Sequence, residues 1–163
     1  MNKRRKLPDE RKSITHKFQI KGHEIINCCP KCEEEMSRES SGCKGYINVG
    51  LFEDGTPGEI FITLARVGST QRGLSDSFAK SVSHGWQYGV PFAKTVRGFR
   101  GTMFEPMGYT TNPKIPQCSS IVDYVVRWLE LTFPEIMKEE SDDGAASTTS
   151  QNTPIPEKGK PNA

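Results

Sequence analysis

Long apolar runs are missing from this sequence. No stretch approaches the roughly 18–20 apolar residues that a membrane-spanning helix requires. The start, Met1-Asn2-Lys3-Arg4-Arg5-Lys6, runs on into charge instead of the apolar core of a secretory signal, so a cytoplasmic protein is the expectation. A large excess of one charge is missing too. The 22 basic and 20 acidic residues leave a formal +2, too little for nucleic-acid binding unless basic residues share one surface. Only residues 1–12 concentrate them. Apolar residues are scarce at both ends, which holds the hydrophobic fraction to 34% and mean hydropathy to −0.60. The middle is normally apolar and fits one domain with one modest core.

The middle begins with strands. From Ser13 to Ile20, Ile14, His16, Phe18 and Ile20 alternate with Thr15, Lys17 and Gln19, the period-two pattern of a half-buried strand. Tyr46 to Phe52 and Ile60 to Leu64 are two β-branched and aromatic runs separated by Glu53-Asp54-Gly55-Thr56-Pro57-Gly58. Asp54-Gly55 suits positive φ and Pro57-Gly58 is expected to make a second bend, so the pair reads as a β-hairpin. Between the first strand and the hairpin lies an excursion rich in Cys, Glu, Ser and Gly, without apolar periodicity.

Helical patterns follow. Leu74, Phe78, Val82 and Trp86 recur at fourfold spacing with Ala79 beside them, predicting an amphipathic helix over Leu74 to Tyr88 that Gly89 and Pro91 end. Phe92 to Phe99 reads as one or two further turns. Residues 100–117 form a long connection broken by Gly and Pro, a length usually reserved for function or for self-packing, and Met103, Phe104, Met107 and Tyr109 point to packing. Ser120 to Phe133 predicts the last main helix, with Ser120 and Asp123 at capping-box spacing and Ile121, Val125, Trp128 and Leu129 as its buried stripe. The organisation expected is a basic flexible arm at 1–12, a domain at 13–134 with a cysteine-rich insertion at 25–44, and a disordered polar tail at 135–163. The fold class is α+β: an antiparallel sheet of about three strands, two main helices on one face, and a small cysteine knuckle.

Cys28, Cys29, Cys32 and Cys43 place soft ligands where a chain reversal gathers them. In a reducing compartment that spacing favours tetrahedral zinc over a disulfide, with Cys29 and Cys32 as the knuckle, Cys43 as third ligand and Cys28, His23 or Cys118 as the fourth. A second Cys-x-x-Cys is missing, so incidental thiols and a redox pair stay open. Glu33-Glu34-Glu35 beside the pair raises thiol pKa and disfavours the redox reading. Ser69, Thr70, Arg72 and Gly73 precede a helix and form a candidate anion cradle, without the Lys and spacing of a P-loop. His84 has no triad partner nearby in sequence, and His16, on the apolar side of its strand, reads as a satisfied core residue. Asp76 and Glu105 read as surface partners for Arg72, Arg97 or Arg100.

A longer set of matches has family character: Leu7-Pro8-Asp9-Glu10-Arg11, Ser13-Ile14-Thr15-His16-Lys17-Phe18, Gly22-His23-Glu24, Gly58-Glu59-Ile60-Phe61-Ile62, Gly68-Ser69-Thr70, Gln87-Tyr88-Gly89-Val90-Pro91, Phe104-Glu105-Pro106 and Arg127-Trp128-Leu129. Over residues 7–133 the chain resembles the TSCPD domain found near the C-terminus of vitamin B12-dependent (class II) ribonucleotide reductases. Two departures stand out. Residues 25–44 are interposed where the family runs from Gly-His-Glu almost directly into Gly-Tyr-Ile. Cys118 matches the namesake cysteine, but Ser119 and Ser120 replace its Pro and Asp. The resemblance implies a role in ribonucleotide reduction and deoxyribonucleotide supply as an auxiliary or detached module. It implies a reductase large chain as partner and adenosylcobalamin entering only through that partner, since the family places its radical chemistry on a large barrel with no counterpart here. Two other classes compete. One is a zinc-knuckle module binding protein or nucleic acid with help from Lys3-Arg4-Arg5-Lys6; the other is a thiol electron-transfer subunit.

Overall fold

The computed structural model describes residues 3–21, 25–28, 35–38 and 42–142. In chain order these form β1 (Ser13–Ile20), β2 (Ile25–Cys28), β3 (Glu35–Arg38), β4 (Cys43–Leu51), β5 (Pro57–Leu64), α1 (Thr70–Gln87), α2 (Phe92–Phe99), β6 (Gly108–Tyr109), β7 (Gln117–Cys118), α3 (Ile121–Thr132) and α4 (Pro134–Asp142). Strands β1, β4 and β5 make one antiparallel sheet in that order, while β2 pairs with β3 and β6 with β7. This is the α+β class expected, with the three-stranded sheet as its centre. The excursion contributes the β2–β3 ladder; most of the anticipated cysteine knuckle lies outside the described residues.

Register explains the core. Ile14, His16 and Phe18 stand against Val49, Ile47 and Gly45, and these against Ile60, Ile62 and Leu64. Alternation along each strand puts all nine on one face, and Phe18, Ile47, Val49, Ile60, Ile62 and Leu64 are each exposed by 2% or less. Val82 and Trp86 of α1, Phe92 and Val96 of α2, and Tyr124, Val125 and Leu129 of α3 join the same cluster. Among the described residues four helices are present where two main ones were foreseen. The additional pair is short, and α4 adds buried Met137 beyond the residue 134 boundary set for the domain.

The outer edge of β5 is closed by polar side chains of α1. Ser83 Oγ accepts from the Ile60 N–H at 2.9 Å and lies 3.2 Å from the Ile60 carbonyl; Gln87 Nε2 donates to the Gly58 carbonyl at 3.0 Å; Arg72 donates to the Leu64 carbonyl at 2.7 Å. An edge strand with unpaired backbone groups is a template for another strand, and these contacts occupy it. They also shift the helix stripe from the one foreseen. Leu74 is 66% exposed, whereas Ser75, Ser83 and Gln87 are buried beside Ala79, Val82 and Trp86.

Three further differences have local causes. Gly55 takes φ +82°, but Pro57 and Gly58 belong to β5, whose pairing with β4 shifts register between Gly50 and Leu51, and make no separate turn. A side chain at Gly58 would meet the Phe52 ring at 2.7 Å, so its glycine serves close packing. The described part of the arm is docked: Arg5 N–H donates to the Gln87 carbonyl, Arg4 to the Gln87 side chain, and Arg5 pairs with Asp54 at 2.6 Å while covering the Phe52 ring. The connection after α2 is anchored by Ile115, fully buried, and by backbone bonds from Lys21 N–H to the Tyr109 carbonyl and Thr111 N–H to the Gln19 carbonyl. Of the anchors foreseen, Met103, Phe104 and Tyr109 are exposed and Met107 is half-buried.

Two glycine substitutions separate packing from propensity. A Cβ on Gly45 would lie 2.6 Å from the Thr63 carbonyl oxygen and 2.9 Å from the Phe18 ring, whereas one on Gly73, in the first turns of α1, meets nothing within 4 Å. Urea denaturation is expected to show Gly45→Ala losing about 1–3 kcal/mol and Gly73→Ala gaining about 0.5–1 kcal/mol.

Candidate functional site

Of the expected metal ligands, His23, Cys29 and Cys32 lie outside the described residues. Cys28 ends β2 opposite Glu35. Cys43 opens β4 opposite Ile20 and is buried in the sheet's core, where desolvation raises its thiol pKa. Among the described residues, no three His, Cys, Asp or Glu side chains gather as a metal site.

The candidate anion cradle is the first turn of α1, not a loop ahead of it. Ser69 is the N-cap: its Oγ accepts from the Arg72 N–H at 3.2 Å and donates to the Arg66 carbonyl at 2.9 Å. Arg72 is tied to the Leu64 carbonyl and stands 3.8 Å from Asp76. One donor an anion would use is therefore engaged by the cap, and the guanidinium is engaged by the β5 edge. Gly73 follows in the helix, its N–H donating to the Ser69 carbonyl.

The family-matching cysteine has a more developed setting. Cys118 ends β7, opposite Gly108, beside a cavity of about 300 Å³ that Met103, Met107, Gln117, Ser119 and Arg127 also line. Ser120 caps α3, accepting from the Asp123 N–H at 3.0 Å and donating to the Thr102 carbonyl at 2.6 Å. Asp123 does not reach back as a capping box would. Its two oxygens accept from the N–H groups of Gly101 at 2.9 Å and Ser119 at 3.1 Å, with Arg127 3.6 Å away. One buried carboxylate thus fastens the end of α2, the approach to α3 and the β7 end together. Burial, then the Asp123 charge, push the Cys118 thiol up to about 11, against smaller lowering effects of Arg127 and of hydrogen bonds from the Gly108 and Ser120 backbone. About one thiol in ten thousand is ionised at pH 7, so Cys118 is a packed, protonated group and a poor nucleophile.

His16 is the satisfied residue its strand position foretold. Its Nε2 is 2.8 Å from the Tyr124 hydroxyl, which also accepts from Asn112 at 3.1 Å, and its ring stacks 5.0 Å from Trp128. Burial lowers its pKa. The stability its neutral form contributes is present above pH 6.5 and lost as pH falls through the lowered value. His84 is exposed. Arg100 pairs with Glu130 instead of Asp76 or Glu105.

A cleft of about 660 Å³ between the docked arm and α2 had no sequence signal. Phe52, Trp86 and Phe92 contribute its apolar wall and Arg5, Lys94 and Arg97 its charge. These residues come from three separate parts of the chain, and Arg5 is already committed to Asp54 and Arg97 to the Met137 carbonyl.

Comparison with known proteins bears on what this arrangement serves. Residues 10–133 match the TSCPD domain. The chain is 47% identical over 131 residues to a vitamin B12-dependent ribonucleotide reductase of Rhodopirellula baltica, 80% of this chain and 11% of that protein. It is 35% identical over 130 residues to the protein of that name from Streptantibioticus cattleyicolor, 80% of this chain and 18% of the relative. With the Bradyrhizobium diazoefficiens protein it shares 36% over 134 residues, 82% and 9%. The chain therefore spans under a fifth of each of these relatives. No solved structure matches it.

In a variant keeping Cys118 as its sole cysteine, the pH dependence of iodoacetamide alkylation reads the thiol directly. Asp123→Asn is expected to lower its apparent pKa and Arg127→Gln to raise it. The native state favours the protonated thiol, so its contribution to stability is whole below the ordinary value of 9.0 and lost as pH rises towards about 11.

Proposed function

The chain belongs to the TSCPD domain family, and from that premise we propose that it serves ribonucleotide reduction as an auxiliary domain. It acts in the cytoplasm as a folded attachment to a B12-dependent reductase large chain, in the supply of deoxyribonucleotides. One observation carries this reading: the similarity takes in four-fifths of this chain and only 11% of the Rhodopirellula reductase. Of the five cysteines, the two whose side chains are described support a packing role and not a redox one for themselves. Cys43 and Cys118 are buried, and both pKa values are raised, the reverse of what thiol exchange requires. Adenosylcobalamin belongs to the partner in this reading.

The excursion has a separate role within the same proposal. Cys29, Cys32 and Cys43, with Cys28 or His23 as the fourth ligand, hold a structural zinc that ties residues 25–44 together. Four thiolates, or three thiolates and one imidazole, supply folding free energy through the metal and no redox chemistry.

Two measurements test the pair of claims. The purified chain, given a ribonucleoside diphosphate, adenosylcobalamin and a dithiol, is expected to form no deoxyribonucleotide, and to co-purify with a B12-dependent large chain expressed beside it. Reduction by the chain alone, or no association, would overturn the auxiliary role. Elemental analysis is expected to find one zinc per chain, lost in Cys29→Ser and Cys32→Ser. If those variants instead abolish reductant transfer to the large chain with no metal present, the electron-transfer reading replaces the structural one.

A further inference from the structure

The strand alternation that builds the core also builds a second surface. On the side of the sheet away from the core, Thr15, Lys17, Lys44, Tyr46, Phe61 and Thr63 are exposed. Tyr46 is 48% exposed and Phe61 51%. In register Lys17 stands beside Tyr46 and Tyr46 beside Thr63, while Phe61 pairs with Asn48. Tyr46 and Phe61 are therefore diagonal neighbours on adjacent strands, a relation that sets residues roughly 7–8 Å apart.

Apart from Glu59, the charge on this face is basic. Lys17 and Lys44 lie on it, and exposed Lys21 continues the β1 alternation. Glu59 is the one carboxylate in these rows among the described residues, and Arg11 holds it at 2.5 Å. The face is also small. Three strands about 4.8 Å apart and five residues of about 3.4 Å give roughly 250 Å², against about 800 Å² per partner in a stable protein interface. Strand addition at β5 is blocked by α1, so a partner meets side chains rather than backbone there.

We propose that this face binds single-stranded nucleic acid, with Tyr46 and Phe61 each stacking on a base and Lys17, Lys21 and Lys44 meeting phosphates. Two exposed rings on a sheet, with lysines flanking Tyr46 on the side away from Phe61, suit a strand whose bases are splayed out. Every base has a π-face, so binding of this kind tolerates sequence. The surface differs from the basic arm that composition points to, since Arg4, Arg5 and Arg11 are engaged with Gln87, Asp54 and Glu59. The proposal is independent of the reductase reading, and its test contains no reductase.

Fluorescence anisotropy of labelled oligothymidylate and oligouridylate, titrated with the full chain at several salt concentrations, tests it. Saturable binding is expected, with a log–log salt slope of about −2 for three phosphates on a single strand. Tyr46→Ala and Phe61→Ala are each expected to weaken it by roughly fivefold or more, Tyr46→Phe to retain it, and a Lys17→Gln, Lys44→Gln double variant to flatten the slope. The tighter of the two probes assigns DNA or RNA as the source. Circular dichroism and thermal melting verify that the variants fold. Failure to bind at low salt would overturn the proposal, as would binding that ignores both aromatic variants. Sedimentation showing that the chain self-associates through Tyr46 and Phe61 without binding either probe would make the face a protein interface and overturn it too.

Discussion

Much of this domain depends on how one edge strand is kept from being an edge. β5 has only β4 as a strand neighbour among the described residues, and its outward backbone groups would otherwise face water or another chain. Ser83, Gln87 and Arg72 of α1 take those groups instead, at Ile60, Gly58 and Leu64. The same contacts hold α1 across the strand, and with it Ala79, Val82 and Trp86 against the core. Gln87 then receives the arm through its side chain and carbonyl. Closing the edge, covering the core and docking the arm are one arrangement.

Period-two and helical patterning made the framework legible. Ser13 to Ile20 is β1 to the residue, and Ile121, Val125, Trp128 and Leu129 are buried as their spacing implied. Polarity misled at α1, where serine and glutamine lie on the buried face because the strand beneath them offers hydrogen bonds. Position misled in the connection, where Ile115 is the anchor and Met103 is 73% exposed. Neither a hydropathy pattern nor a turn signal records which backbone groups a neighbouring element leaves unpaired.

The cysteines show the same division. Spacing predicts a ligand set in the excursion, most of which lies beyond the described residues. It said less about Cys118, whose character comes first from burial, then from Asp123 and Arg127 one turn apart on α3 and from the Gly108 and Ser120 backbone. Asp123 is legible in the sequence as part of a helix cap. Its acceptance from Gly101 and Ser119 becomes visible only when three segments meet. Where Ser119 and Ser120 stand in for the family's Pro and Asp, the local structure is completed by the Ser120 cap and the Asp123 carboxylate.

The excursion departs after Ile20 and the chain re-enters at Cys43, residues that face each other across one rung of the β1–β4 ladder. To the sheet, everything between them is the loop of an extended hairpin. The entropy of closing such a loop rises only logarithmically with its length, by about 0.6 kcal/mol per doubling. Sequence at this point can be gained, lost or exchanged with little penalty to the ladder. The fold thus carries a natural insertion port, at which relatives can differ in what they display while sharing the scaffold that displays it.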